Sequence, residues 1–214
     1  KRKKQWSKSH SNSKIKFINC DVKNIEKYVH VLKKADIIID CIGRTQHNFE
    51  SEKNLKKDID ENFLNKISML LYLSSIKRKI NYISLGTLYK YGNIKSIERK
   101  IKKNKFKNYD FQAINKSAYE QYLAVIQQNN KYLRVLVINF GSVYGFNKNK
   151  DISAVNSLVI DFIKKKKIYY YQNINGKRLK NIIFIDDLVK IIVRELIKFL
   201  DISKNIKSFR EINI

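Results

Sequence analysis

Residues Asp36–Ile42 read DIIIDCI. A near-continuous apolar run of this length is the pattern of a strand covered on both faces, which belongs to a parallel sheet. Parallel strands need long crossovers, usually helices, and the flanking sequence supplies them. Before the run, Lys14–Asn19 (KIKFIN) reads as a short strand and Ile25–Leu32 as a helix with apolar residues at helical spacing. After it, Leu55–Ser75 reads as a long amphipathic helix, residues 80–84 (INYIS) as a strand, Asp110–Gln128 as a helix and residues 133–139 (LRVLVIN) as a strand. The pattern continues with a helix over Ser153–Lys166, a short strand over Lys167–Tyr171, an extended Asn181–Ile185, a helix over Asp186–Leu200 and a terminal REINI that reads as strand. Residues 1–13 and Lys90–Asn108 are polar, basic loops. The alternation predicts an α/β, Rossmann-like parallel sheet with helices on both faces. All strand C-termini then lie on one edge, where ligands bind. The segments to search are CDV, CIGRTQ, SLGTLYKYG and NFGSVYG.

Composition narrows the classes. With 214 residues, 43% of them apolar, the chain can bury a sizeable core. Its longest apolar runs, such as Ile37–Ile39 and Ser68–Leu73, are far too short to span a bilayer. The basic start KRKKQWSKSH is not followed by the apolar stretch of a signal peptide. Cys20 and Cys41 form no CxxC and have no His at metal spacing, so they read as reduced cytosolic thiols, with no metal site and a cytoplasmic protein expected. The formal charge of +26 suggests a polyanion partner, yet only 8 of the 45 basic residues are Arg, and the Lys are spread along the whole length. A global bias toward Lys, Asn and Ile accounts for the charge better than a nucleic-acid site. The six glycines, at positions 43, 86, 92, 141, 145 and 176, form no GxGxxG.

Taken together, the strand-end segments resemble the extended short-chain dehydrogenase/reductases, in their NAD-dependent epimerase/dehydratase branch acting on nucleotide sugars. INCDVKN is similar to that family's gDi.d, ADIIIDCIGRTQ to aDvViHlAa, and KKDIDENFLNKISMLLYL to d...N..gt..ll.a. NYISLGTLYKYG is similar to yiSs..vYG, QAINKSAYEQYL to Y..sK...E..l, VLVINFGSVYGFN to..lR..nvYGp, and GKRLKNIIFIDDLVKII to g...rdfi.vdDva.ai. Order and spacing agree from about residue 16 to 195. The resemblance implies an NAD (or NADP) cofactor, a nucleotide-sugar substrate, a homodimer and no membrane. It also implies a chain that lacks the first βαβ unit with its glycines and is cut at its C-terminus too. Residues 1–150 would form the NAD-binding part, and 151–214 part of a small substrate-binding subdomain interleaved with the last sheet strand and helix.

The same resemblance assigns roles. Asp21 would accept from the adenine amino group and Val22 would help fix the ring; Asp also suits a helix N-cap before Ile25. The Cys41, Ile42 and Gly43 backbone would lie along the cofactor, and Asn62 would brace the loop beside it unless it is a surface polar residue. Lys116 would bond the nicotinamide ribose and act in catalysis. Thr87, or else Ser84, would be the hydroxyl partner. Phe140 and Gly141 would face the cofactor carboxamide, and Ser142 and Lys180 the substrate. One departure stands out: the catalytic Tyr four residues before Lys116 is replaced by Gln112. An amide cannot exchange a proton at neutral pH as a phenol can. Asn139 stands where Arg is usual, and Asp187 reads as a helix cap. His10, His30 and His47 match no family position, so none is offered as a base.

Overall fold

Strand β1 (Ile37–Asp40) pairs in parallel with β2 (Ile80–Thr87), β2 with β3 (Leu133–Phe140), and β3 with β6 (Phe209–Asn213). A separate parallel pair joins β4 (Ser142–Tyr144) to β5 (Ile182–Phe184). The computed structural model describes residues 16–43, 52–91, 111–145, 162–164, 181–201 and 208–214. Register alternation divides the sheet into two faces. Tyr82, Val135 and Val137 meet the helices α3 (Asn65–Ser74) and α4 (Phe111–Gln128) through Leu70, Leu73 and Leu123, and α2 (Glu52–Ile59) precedes α3 in the chain. Ile83, Leu136 and Ile138 meet α5 (Ile185–Leu200) through Ile192, Leu196 and Phe199. Each fully buried Leu or Ile contributes roughly 1.5–3 kcal/mol, so the centre of the sheet anchors the molecule and its rim is left to other work.

Several expectations need correction. The described part of KIKFIN, from residue 16, is not a strand. β1 lies at a sheet edge, no described strand pairs with its outer side, and Phe17 and Ile18 are exposed. β1 is also not covered on both faces: Ile37 and Ile39 are 38% and 47% exposed, because the described helices beside this strand pack on the Ile38 and Asp40 side. The helix expected over Ile25–Leu32 is split into a 3₁₀ turn, Ile25–Lys27, and a single α-turn, α1 (Val29–Leu32). The long helix from Leu55 to Ser75 is continuous but widens into a π turn over Asp60–Leu64 between α2 and α3. β2 runs three residues beyond the INYIS reading, so Thr87 rather than Ser84 ends it. β4 was not anticipated. Asp187 does not cap α5: the N-cap is Phe184, without a side-chain bond, and Asp187 sits in the first turn beside Lys190. There it still complements the helix dipole. The Lys167–Tyr171 strand and the loop from residue 92 lie outside the described residues, and of the Ser153–Lys166 helix only 162–164 are described, as helix.

Candidate functional site

Beyond the end of β1, the chain opens onto a cleft of about 410 Å³ lined by Asp21, Val22, Ile42, Gly43, Lys57 and Asn65, among others. That volume is within the range of small-molecule sites, about 300–1,000 Å³. Two local devices hold the Asp21 side. The Asp21 carboxylate accepts from Lys23 N–H at 3.1 Å rather than from the helix after it, and the Tyr28 hydroxyl donates to the Val22 carbonyl at 2.5 Å. Opposite them, Gly43 faces two polar side chains. A Cβ built on Gly43 would stand 3.4 Å from Asn62 Oδ1 and 3.7 Å from Lys116 Nζ.

Asn62 is not a surface residue. It is fully buried in the π turn, and its amide donates to Asp58 Oδ1 at 2.6 Å. The other Asp58 oxygen accepts from the Asn115 amide at 2.7 Å, so one buried carboxylate joins the π turn to α4 one residue before Lys116. A π turn aims a side chain that a regular helix would rotate away.

Beneath the Cys41–Gly43 backbone lies a buried ionic cluster. Lys66 Nζ pairs with Asp40 Oδ2 at 2.8 Å, with the two side chains 2% and 0% exposed. Tyr82 donates to the same oxygen at 2.8 Å, and the Tyr119 hydroxyl lies 2.7 Å from that of Tyr82. Since the Tyr82 proton goes to Asp40, Tyr119 is the donor to Tyr82. Lys66 also sits 4.1 Å over the Tyr119 ring. Burial, followed by the neighbouring ionisable groups, pushes both phenols well above their ordinary pKa. Burial and then Asp40 likewise raise the exposed Cys41 thiol, which argues against a reactive thiolate.

The tips of β2, β3 and β6 carry a second network. Lys90 pairs with Glu120 and, at 2.7 Å, with Glu211 Oε1. The same Glu211 oxygen accepts from Tyr91 at 2.6 Å and from the Asn139 amide at 2.7 Å. Burial alone would raise Glu211, but the charge and hydrogen bonds of Lys90, with those of Tyr91 and Asn139, hold it below the ordinary glutamate value. Glu120 moves the other way, because its burial outweighs the pull of Lys90. Tyr91 is pushed up to about 12, first by burial and then by its bond to Glu211. Gly86 sits at the centre: a Cβ there would come within 2.0 Å of Asn139 Oδ1 and 2.6 Å of Glu120 Oε1.

The sequence-predicted residues therefore fall into two groups on one rim. Asp21, Val22, Ile42 and Gly43 share the cleft, with Asn62 and Lys116 facing Gly43 and Cys41 next to it. Thr87 ends β2 with its hydroxyl accepting from Tyr89 N–H, while Ser84 is buried in mid-strand opposite Asp40. Phe140 ends β3 and packs toward α5. Gly141 passes so close to the Asn181 backbone that a Cβ would lie 2.2 Å from its carbonyl oxygen, and the Ser142 hydroxyl meets that of Tyr89. Lys180 lies outside the described residues. Gln112 stands in α4 one turn before Lys116. The sequence reading missed Asp40, Lys66, Asp58 and Glu211. For the first pair a signal existed: an Asp ending an apolar strand and a Lys in the apolar helix stripe with Met69, Leu70 and Leu73. No group of His, Cys, Asp or Glu among the described residues could hold a metal ion, and no described helix is long and apolar enough to cross a membrane.

A parallel sheet with helices on both faces and polar strand tips gathered on one edge defines a nucleotide-binding α/β fold of the Rossmann type. The chain belongs to the NAD dependent epimerase/dehydratase family, whose profile matches residues 1–210. Among solved structures, it is similar to a UDP-glucuronic acid 4-epimerase mutant from Bacillus cereus in complex with UDP-4-deoxy-4-fluoro-glucuronic acid and NAD. The TM-score is 0.77 at 18% identity, covering 100% of this chain and 64% of that one. It is also similar to Thermus thermophilus UDP-glucose 4-epimerase in complex with NAD (TM-score 0.72, 16% identity, 94% and 63% covered). A third likeness is to RMD from Pseudomonas aeruginosa complexed with NADPH (0.66, 14%, 100% and 73%). At these identities the structures establish the fold, and the chain spans under two thirds of the first two. Comparison with curated proteins returns no significant match.

Proposed function

We propose that this chain binds NAD or NADP along the rim from Asp21 to Gly141 and acts on a nucleotide sugar by oxidation and reduction at a sugar carbon, as an epimerase does. The observation that carries the reading is the place of Gly43, which lines the Asp21 cleft and stands against Asn62 and Lys116. The residues present suit such a ligand. A backbone edge without Cβ permits close approach, Lys116 offers donors to ribose hydroxyls, and the Asp21 carboxylate offers an acceptor to an amino group. When bound, the dinucleotide supplies the hydride acceptor and donor. Lys116 then fixes the ribose and Thr87 Oγ1 bonds the substrate hydroxyl, with Ser84 buried behind it. We assign Ser142, near the end of the 1–150 part, and Lys180, in the 151–214 subdomain, to the substrate. Exposed Leu71, Tyr122 and Val125 on α3 and α4 suit a homodimer face; Leu71→Glu with Val125→Glu should yield a monomer by light scattering.

A second reading rests on Gln112. With an amide one turn before Lys116, the chain lacks the usual proton donor and acceptor, which fits a member that binds its ligands without turnover. Assay of the protein on UDP-sugars with NAD separates the two. Turnover abolished by Lys116→Ala supports the enzyme. Turnover that begins only with Gln112→Tyr supports the silent form. Failure of the parent to bind any dinucleotide removes the first, and failure to bind UDP-sugars as well removes both.

A further inference from the structure

The buried Asp40–Lys66 pair has a reach beyond packing. Asp40 Oδ1 accepts from the Ile42 N–H at 2.8 Å, and Lys66 Nζ reaches the Ile42 carbonyl at 3.5 Å. Both polar groups of one residue are thus held from below by the two members of one ion pair. Ile42 and its neighbour Gly43 line the cleft from the other side. Through Tyr82 and Tyr119 the same pair is tied to α4, three residues beyond Lys116. It therefore touches both walls of the gap between Gly43 and Lys116. Buried ion pairs are commonly replaceable by apolar side chains without loss of stability, so stability alone does not call for charges here.

We infer that Asp40 and Lys66 are positioning residues that set the Ile42–Gly43 tip against Lys116 and thereby the affinity for the dinucleotide. The inference rests on the reading under Proposed function and adds residues to it. Neither side chain touches the ligand; both act through the Ile42 peptide.

The test pairs Asp40→Leu/Lys66→Met with Lys66→Met alone, using NAD and UDP as separate probes in titration calorimetry. Removing one partner leaves a buried charge, so the single variant melts well below the parent, while the apolar pair regains most of that loss. The expected result is that the regained stability is not matched in binding: the apolar pair takes up NAD about tenfold more weakly and UDP as well as the parent. Amide exchange of an Asp40→Leu single variant, which removes the acceptor of the Ile42 N–H, gives an independent readout. The Ile42 and Gly43 amides should exchange about tenfold faster while those of Val135 and Val137 hold. An apolar pair that binds NAD like the parent overturns the inference, as does exchange that quickens equally across the sheet. A parent that binds UDP but no NAD strikes instead at the dinucleotide reading on which the inference rests. If the apolar pair does not fold, the exchange comparison decides.

Discussion

The two strand-tip regions are built from similar residue types and put to opposite use. At the tip of β1, charges are buried underneath and the surface above is left open: Asp40 and Lys66 lie below, and Gly43, with Asn62 and Lys116 against it, lines a cleft. At the tips of β2, β3 and β6, the charges fill the rim itself. Lys90 is clamped between Glu120 and Glu211, and Gly86 is packed until no Cβ would fit. Glycine has different meanings at the two places. At Gly43 a methyl would make ordinary contacts of 3.4–3.7 Å, so its absence keeps a surface bare; at Gly86 its absence is a condition of assembly. One tip leaves a cleft open and the other holds four elements together.

Four measurements press on that contrast, the largest effect first. Lys116→Ala should lower any turnover by about a hundredfold or more, with a melting temperature close to the parent's; a large fall in melting temperature would move Lys116 into the scaffold. Gly86→Ala should destabilise by about 1–3 kcal/mol in urea unfolding, against under about 1 kcal/mol for Gly43→Ala, which should instead weaken NAD. Equal costs would erase the distinction. Acid should act on the closed tip. The Glu211 carboxyl is held below its ordinary value, so its stabilising contribution is complete above about pH 4.3 and fades as pH falls through the folded value. Glu211→Gln should flatten the acid limb of a melting-temperature profile. An unchanged limb would place acid sensitivity elsewhere. Last, Asp21→Ala should weaken adenosine nucleotides by a few fold, roughly 1 kcal/mol, with no change in folding, because this carboxylate is half exposed and its bonds among the described residues go to Lys23, two positions on.

How far the sequence foretold this follows from what periodicity can carry. β2, β3, α4 and α5 were legible because their apolar residues recur at the spacing of a covered strand or a one-faced helix. β1 was legible in position but not in burial, since three isoleucines in a row look alike whether one face or two are covered. KIKFIN failed because a strand needs a neighbour, which its own residues do not announce. Family motifs placed Asp21, Gly43, Asn62 and Lys116 on one rim, and their meeting is seen in the fold. The Asp40–Lys66 and Lys90–Glu211 pairs were invisible in a chain so rich in Lys, because a buried Lys and a solvated one are the same letter until the partner 26 or 121 residues away is brought beside it.

The wide turn at Asp60–Leu64 carries a consequence for how such a site could change. Each residue of an α-helix advances its successor by about 100°. Loss of a single codon within this turn would let the run relax to regular winding and swing the half before it by that angle. Asp58 would then leave Asn115, and Asn62 would leave Gly43, with the apolar stripe of Met69, Leu70 and Leu73 undisturbed. Ligand preference in this fold could thus drift by indels as readily as by substitution.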